Sequence, residues 1–293
     1  MGLTNPRFQS LCAVVFLLMF LNIIQSLSNP FEVIEKFEGY HKGLRSRRVL
    51  QLRNYLQKFG YLKHQNSSLS NGEEFDEAVE SAVKLYQQFY GLNITGYLDS
   101  DTVKLMIRPR CGVPDIINHE HTYYNFSPSF AFFPGHERWS SDHYNLRYRF
   151  LSPLLYILSE VFTRAFDKWA AVSMFRFQEM KFDLNSEIKI GFYTGNHGDG
   201  HPFDGPGGIL AHAFAPEDGR MHFDADERWN TADPVPQNEF DLESAAIHEI
   251  GHLLGLRHST DPAAAMYPVL GRGEVKRELG DDDVTGLFDL YRW

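Results

Sequence analysis

His248-Glu249-Ile250-Gly251-His252-Leu253-Leu254-Gly255-Leu256-Arg257-His258 is the stretch that decides how this chain is read. On a helix, at ~100° per residue, positions i and i+4 share a face. His248 and His252 can therefore present their imidazoles to one cation. Glu249, offset by one position, can reach water held by that cation without ligating it. His258 would lie off that face if the helix ran on. Gly255 offers the exit, because glycine enters the left-handed region, ends the helix and lets the chain bring His258 back as a third ligand. Three neutral nitrogens with an open fourth position form the donor set of a catalytic rather than a structural zinc. Two histidines four apart are common on exposed helices; with the glutamate, the glycine and the third histidine they are not.

The rest of the chain gives this motif its setting. The 293 residues are 43% hydrophobic with a net charge of -10. That is enough for one large domain or two modest ones, and it excludes a disordered chain, a collagen-like repeat and a coiled coil. No basic stretch is long enough to track phosphates, which argues against a nucleic-acid partner. Near the start, Arg7 precedes an apolar run from Leu11 to Leu21 that exits through Ser26-Leu27-Ser28. The run is short for a membrane span, and residues 1–28 read as a secretory signal peptide. Its removal takes Cys12 away and leaves Cys111 as a lone thiol with no internal disulfide, which calls for an explanation. The C-terminal Tyr291-Arg292-Trp293 lacks the hydrophobic tail of a lipid-anchor signal. The expectation is a secreted monomer without a stable membrane anchor.

Two halves follow the signal. Over 44–110 the apolar residues recur at three- and four-residue steps in three runs, from Leu44 to Phe59, Phe75 to Phe89 and Leu98 to Ile107, predicting a small three-helix bundle. Asp99 or Ser100 would cap the third helix. Asn66, Asn93 and Asn125 begin glycosylation sequons. Residues 115–143, rich in Pro, His, Ser and aromatics, read as a linker. Beyond them a strand at Leu146–Phe150, a helix at Leu154–Ala171, strands at 175–177 and 188–192, a glycine-rich region and helices at 242–254 and 282–291 predict an α/β domain around one twisted sheet.

Here the motif meets a family. HEIGHLLGLRHS resembles the extended zinc signature of the metzincin proteases, and Ser259 after the third histidine resembles the matrixins, or matrix metalloproteinases. Ala265-Met266-Tyr267-Pro268 is similar to their Met-turn, which implies that Met266 lies under the zinc site. Pro109-Arg110-Cys111-Gly112-Val113-Pro114-Asp115 resembles the matrixin cysteine switch. With no hemopexin-like domain following, the chain is most similar to the short, plant-type matrixins. The resemblance implies a metzincin domain at 139–293, with a twisted, mostly parallel five-stranded sheet and three helices. It also implies a helical propeptide at 29–115 and a linker at 116–138 containing the activation cut. Cys111 would occupy the fourth zinc position in the latent form, and Arg110 beside it would favour the thiolate.

The resemblance extends to further ions. His197, Asp199, His212 and His222 would hold a structural zinc, with His201 as a poor alternative, so two Zn2+ are expected. The stretch Phe203–Gly208, with Asp224 and Glu227, supplies carboxylates and loop carbonyls of the kind calcium prefers. By resemblance at least one Ca2+ is held by Asp204, Gly205, Gly207, Ile209, Asp224 and Glu227, while Asp226 reads as a plain solvated acid. Arg220 stands where many animal matrixins have an aspartate ligand, which puts their second calcium in doubt.

The reading that results is a zinc-dependent endopeptidase acting on extracellular proteins or peptides, with its own propeptide as intramolecular inhibitor and Glu249 as general base. Gly208–Ala211, including Leu210 and Ala211, could add a substrate strand, opposite a wall at Pro268. Ser244 would line a roomy pocket for the side chain after the cut. The alternatives are an inactive zinc-binding adhesion or wall-binding protein, against which Glu249 argues, and another zinc hydrolase, against which Ser259 and Cys111 argue.

Overall fold

The structure, a computed structural model, describes residues 29–63, 72–117, 129–181 and 185–292. The predicted signal at 1–28, with Cys12, and the sequons at Asn66 and Asn125 lie outside them; Asn93 is exposed in an irregular stretch.

The N-terminal half contains α1 (Val49–Lys58), α2 (Glu77–Phe89) and α3 (Ser100–Met106), preceded by a 3-10 helix, Pro30–Phe37, that the periodicity did not reveal. Asp76 and Asp99 cap α2 and α3, their carboxylates accepting from the Val79 and Thr102 amides. The apolar faces meet around Leu52, Leu56, Phe59, Phe75, Val83 and Tyr86, and Phe37 of the 3-10 helix fills the same core. Helix α1 begins later than expected because Leu44 and Phe75 are tied by a backbone bond and Arg45 bridges Glu74 in antiparallel fashion.

The second half is built on a five-stranded sheet of order β2-β1-β3-β5-β4. Its strands are β1 (Asn145–Phe150), β2 (Arg176–Glu179), β3 (Ile188–Tyr193), β4 (Ala211–Ala213) and β5 (Arg220–Asp224). All neighbours are parallel except β4 against β5. The short β6 (Trp229–Asn230) and β7 (Phe240–Asp241) pair separately. Three helices accompany the sheet: α4 (Ser159–Ala171), α5 (Leu242–Leu253) and α6 (Asp281–Tyr291). This is the expected fold class. The single helix expected from Leu154 divides, since Pro153–Leu158 is a 3-10 helix and α4 starts only at Ser159. Phe162, Phe166 and Trp169 of α4 pack between the sheet and α5, and the Trp169 indole donates to the Ile247 carbonyl at 2.9 Å.

The stretch expected as a linker is packed in its later part. Arg257 N donates to Ala131 O, Phe132 bridges Leu256, Phe133 is buried, and the buried Trp139 indole donates to Leu253 O at 2.7 Å. Its aromatics belong to the core they cover.

Candidate active site

Every residue of α5 is buried, which explains why its sequence lacks a polar face. Asp241 caps it by accepting from the Ser244 amide. Gly251 is required in mid-helix because a Cβ there would lie 2.2 Å from the Met266 sulfur. Met266 thus packs under the helix one residue before His252. Gly255 has φ +99°, and a Cβ there would meet the Glu137 carbonyl at 2.5 Å. The chain turns at this point and His258 comes back to the helix.

Each of the three imidazoles is oriented through Nδ1. His248 donates to Ala265 O at 2.7 Å, His252 to Leu256 O at 2.8 Å and His258 to the Asp115 carboxylate at 2.6 Å. Their Nε2 atoms face inward. Those of His248 and His258 are buried without a hydrogen-bond partner, and that of His252 meets Cys111 Sγ at 3.4 Å. One ligand atom from each of Cys111, His248, His252 and His258 lies within 4.8 Å of all the others. Leaving such nitrogens bare costs about 1–3 kcal/mol each. Three imidazoles held by outer partners, with a thiol as fourth donor, fit a tetrahedral zinc. Burial pushes the histidine pKa values down, helped by repulsion between the rings at His248 and His252 and by Arg110 and Arg257 at His258, which falls to about 4, so the rings are neutral as ligation requires. Burial raises Glu249 to about 8, and its Oε2 has no partner.

Arg110 favours the Cys111 thiolate, as expected, but only weakly. Its guanidinium turns away into a buried bidentate pair with Asp115, at 2.6 and 2.9 Å, and stacks over Phe59. Burial, then Glu249, push the Cys111 thiol well above its usual range, and Arg110 opposes them only weakly. Asp115 is the residue that motif reading left without a role. It joins Arg110, Tyr61 and His258, and its backbone carbonyl accepts from Arg257. Its contact with His258 spans 143 residues of sequence.

The segment around Cys111 lies between the two walls named from sequence. Arg110 N donates to Gly208 O, Leu210 N to Arg110 O and Gly112 N to Ala211 O on one side, while Cys111 N donates to Pro268 O on the other. Below it, a cavity touched by Cys111, Ser244, His248, Glu249, Tyr267 and Lys276 measures only about 20 Å³, roughly one water. The roomy pocket is therefore not found in this closed form. Ser244 is buried with its hydroxyl bonded to Asp241 and to Lys276 N, and Lys276 lies over the Tyr267 ring.

His197, Asp199, His212 and His222 form a second cluster, again within 4.8 Å. His197 Nε2, His212 Nε2 and His222 Nδ1 all converge on Asp199 Oδ2 at 2.7–2.9 Å. His201 is exposed and outside the cluster.

Beside it, Asp204, Asp224 and Glu227 are gathered by the loop. Asp204 accepts from Ile209 N, Glu227 from Gly207 N, and Asp224 Oδ2 and Glu227 Oε2 are buried without hydrogen-bond partners, although Arg272 lies 3.9 Å from the latter. Gly205 and Gly207 need their positive φ of 85° and 82° to turn the loop around these acids. Burial, with mutual repulsion, raises Asp224 to about 6 and Glu227 to about 7. Asp226 is exposed. Arg220 pairs with Asp218 at 2.6 Å and lies over Phe214.

A twisted sheet backed by a helix that carries two histidines and a glutamate, with a third histidine returned after a glycine turn, defines a zinc-dependent peptidase. The family model described as matrixin matches residues 138–292, and that of a peptidoglycan-binding domain matches 45–106. The chain is 44% identical over 269 residues to Metalloendoproteinase 1 of Glycine max, covering 89% of this chain and 87% of that one. It is 39% identical over 284 residues to Metalloendoproteinase 2-MMP of Arabidopsis thaliana, covering 89% and 75%. Matrilysin of Homo sapiens is 37% identical over 249 residues, covering 82% and 84%. The chain belongs to the matrixin family and is a metalloendopeptidase.

Proposed function

We propose that the chain is a secreted zymogen that cleaves extracellular proteins once the segment holding Cys111 is removed, with Glu249 as general base. The observation that carries this reading is the convergence of Cys111 with His248, His252 and His258 above a glutamate with an unpartnered oxygen. Zinc bound by the three histidines would polarise the scissile carbonyl and acidify a water. Glu249 accepts the proton of the attacking water and returns it to the leaving amine. Leu210, Ala211 and Pro268 offer the main-chain edges on which a substrate strand lies after the Cys111 segment departs. Cys111 blocks the fourth position, and Asp115 fixes both Arg110 and His258 while the block lasts.

In this reading 1–28 is the signal, 29–115 the propeptide and 139–293 the catalytic unit, and the activation cut falls within 116–138. His197, Asp199, His212 and His222 hold a second zinc. Asp204, Asp224 and Glu227, with carbonyls of Gly205, Gly207 and Ile209, hold calcium. Among the described residues no helix is long and apolar enough to cross a membrane. The test is cleavage of a quenched peptide by the processed chain. Chelation should abolish it and added zinc restore it; activity that persists after the zinc has been stripped would refute the reading.

A further inference from the structure

The outer face of the sheet carries a row of cations that the catalytic reading leaves unused. Along β1 the side chains alternate, with Leu146, Tyr148 and Phe150 buried and Arg147 and Arg149 outward. The register sets Arg149 opposite Lys189 of β3, and Lys189 opposite Arg220 of β5. Exposed Arg176 begins β2 opposite Asn145 on the other side. Like charges directly opposite one another destabilise a sheet, and this chain is acidic overall, with net charge -10. Glu187 pairs with Arg147 and Asp218 with Arg220, both at 2.6 Å. Among the described residues no ion pair is formed by Arg149, Lys189 or Arg176; Arg149 is half-buried, and its buried Nε has no hydrogen-bond partner.

An apolar projection continues the row. Leu151 follows Arg149 by two residues, so it shares the outward face, and it is 37% exposed. The 3-10 helix Pro153–Leu158 comes next. Its residues i and i+3 eclipse, which puts Leu154 and Ile157 side by side, 84% and 87% exposed. Two aliphatic side chains held almost wholly in solvent, at the end of a cationic sheet face, have the chemistry of a peripheral membrane contact. The cations meet anionic headgroups and the aliphatics enter the acyl boundary.

We infer that this face docks the protein reversibly on an anionic lipid surface, through Arg149, Lys189 and Arg176 with Leu154 and Ile157 as the inserting pair. The contact needs no spanning helix and stands apart from the catalytic assignment. The experiment uses the full secreted chain with zinc and calcium held constant, and sedimentation with phosphatidylcholine vesicles with or without phosphatidylserine. Binding should require phosphatidylserine and weaken as salt rises. Arg149→Gln with Lys189→Gln should weaken it about 25-fold, at roughly fivefold per cation. Leu154→Ser with Ile157→Ser should weaken it by about tenfold or more. Leu154 and Ile157 are exposed and Arg149 and Lys189 half-buried, so unchanged melting of the full chain, with unchanged peptide cleavage after processing, shows that the variants are folded. Failure to bind the phosphatidylserine vesicles overturns the proposal, as does equal binding by the Leu154→Ser/Ile157→Ser variant. A chain that binds dextran sulfate but not the vesicles carries a general polyanion site, which also overturns it.

Discussion

The two histidine clusters are close in composition and differ in how they hold together. Asp199 accepts from all three of its histidines, so that cluster contains its own negative charge and its own hydrogen bonds. The cluster on α5 has no such hub. Its rings are held from behind by Ala265 O, Leu256 O and Asp115, and the inward nitrogens of His248 and His258 find no partner. Loop ligands that satisfy one another suit an ion that stays in place. Helix ligands fixed from outside and bare within suit an ion whose fourth partner is exchanged. Glu249, which belongs only to the second arrangement, is where the comparison is broken most severely. Glu249→Gln should lower peptide cleavage by at least ~100-fold while zinc content, read by atomic absorption, stays that of wild type. Turnover near wild type would remove the distinction between a structural and a catalytic cluster.

Cys111 tests the exchangeable fourth partner. Cys111→Ser replaces a strong zinc ligand by a weak neutral hydroxyl. The unprocessed variant should cleave a quenched peptide where the wild type, purified alongside with zinc and calcium, does not. The tether gives the wild-type thiol a high effective concentration, so its block should resist dilution. Equal latency in the two proteins would leave coverage by the helical bundle as the whole explanation.

What could be read in advance follows the same division. The helix-borne ligands were legible because one period fixes which residues share a face, and Gly255 announces where that face ends. The motif around Cys111 was legible because a lone thiol among Pro, Arg and Gly has no ordinary structural use. Contacts made only by tertiary packing were not legible. Arg110 is adjacent to Cys111 in sequence, yet its charge is directed at Asp115 and the Phe59 ring. Phe132 and Trp139 looked like linker residues because their partners lie more than a hundred residues away, on the segment that follows α5 and in α5 itself. The narrow cavity depends on Tyr267 and Lys276 meeting across it, which no local pattern encodes.

Asp115 is a smaller lever on the same comparison, because it is the only outer partner of the helix cluster that comes from the Cys111 segment. Asp115→Asn removes the charge facing Arg110, and an unpaired buried charge costs about 3–5 kcal/mol. That cost falls on the closed form alone, since the segment leaves on activation. The zymogen of the variant should melt earlier and show partial activity before processing. The processed enzyme, cut after position 115, should have unchanged kcat and KM. Equal melting and equal latency of the unprocessed variant and wild type would contradict the assignment of Asp115 to latency.

The calcium loop should show the gentlest effect, with the sign of its pH dependence fixed by the shifts. Asp224 and Glu227 have pKa values raised to about 6 and about 7, chiefly by burial, above ~4, where they titrate when unfolded. Between those limits these two groups bind more protons folded than unfolded, so their own contribution to stability falls as pH rises. Without calcium, the melting difference between wild type and Asp224→Asn should therefore shift in favour of wild type at pH ~5 relative to pH ~7.5. Calcium bound only by the folded state adds about 2.7 kcal/mol at a hundredfold excess over Kd, and it favours the ionised carboxylates. Added calcium should then raise the melting temperature more at the higher pH and flatten the dependence. Asp224→Asn should lose most of the calcium response and part of the pH slope, and leave the Asp199 cluster with its zinc. Should calcium raise melting equally at both pH values, or equally in Asp224→Asn and wild type, the ion is held elsewhere than among these three acids.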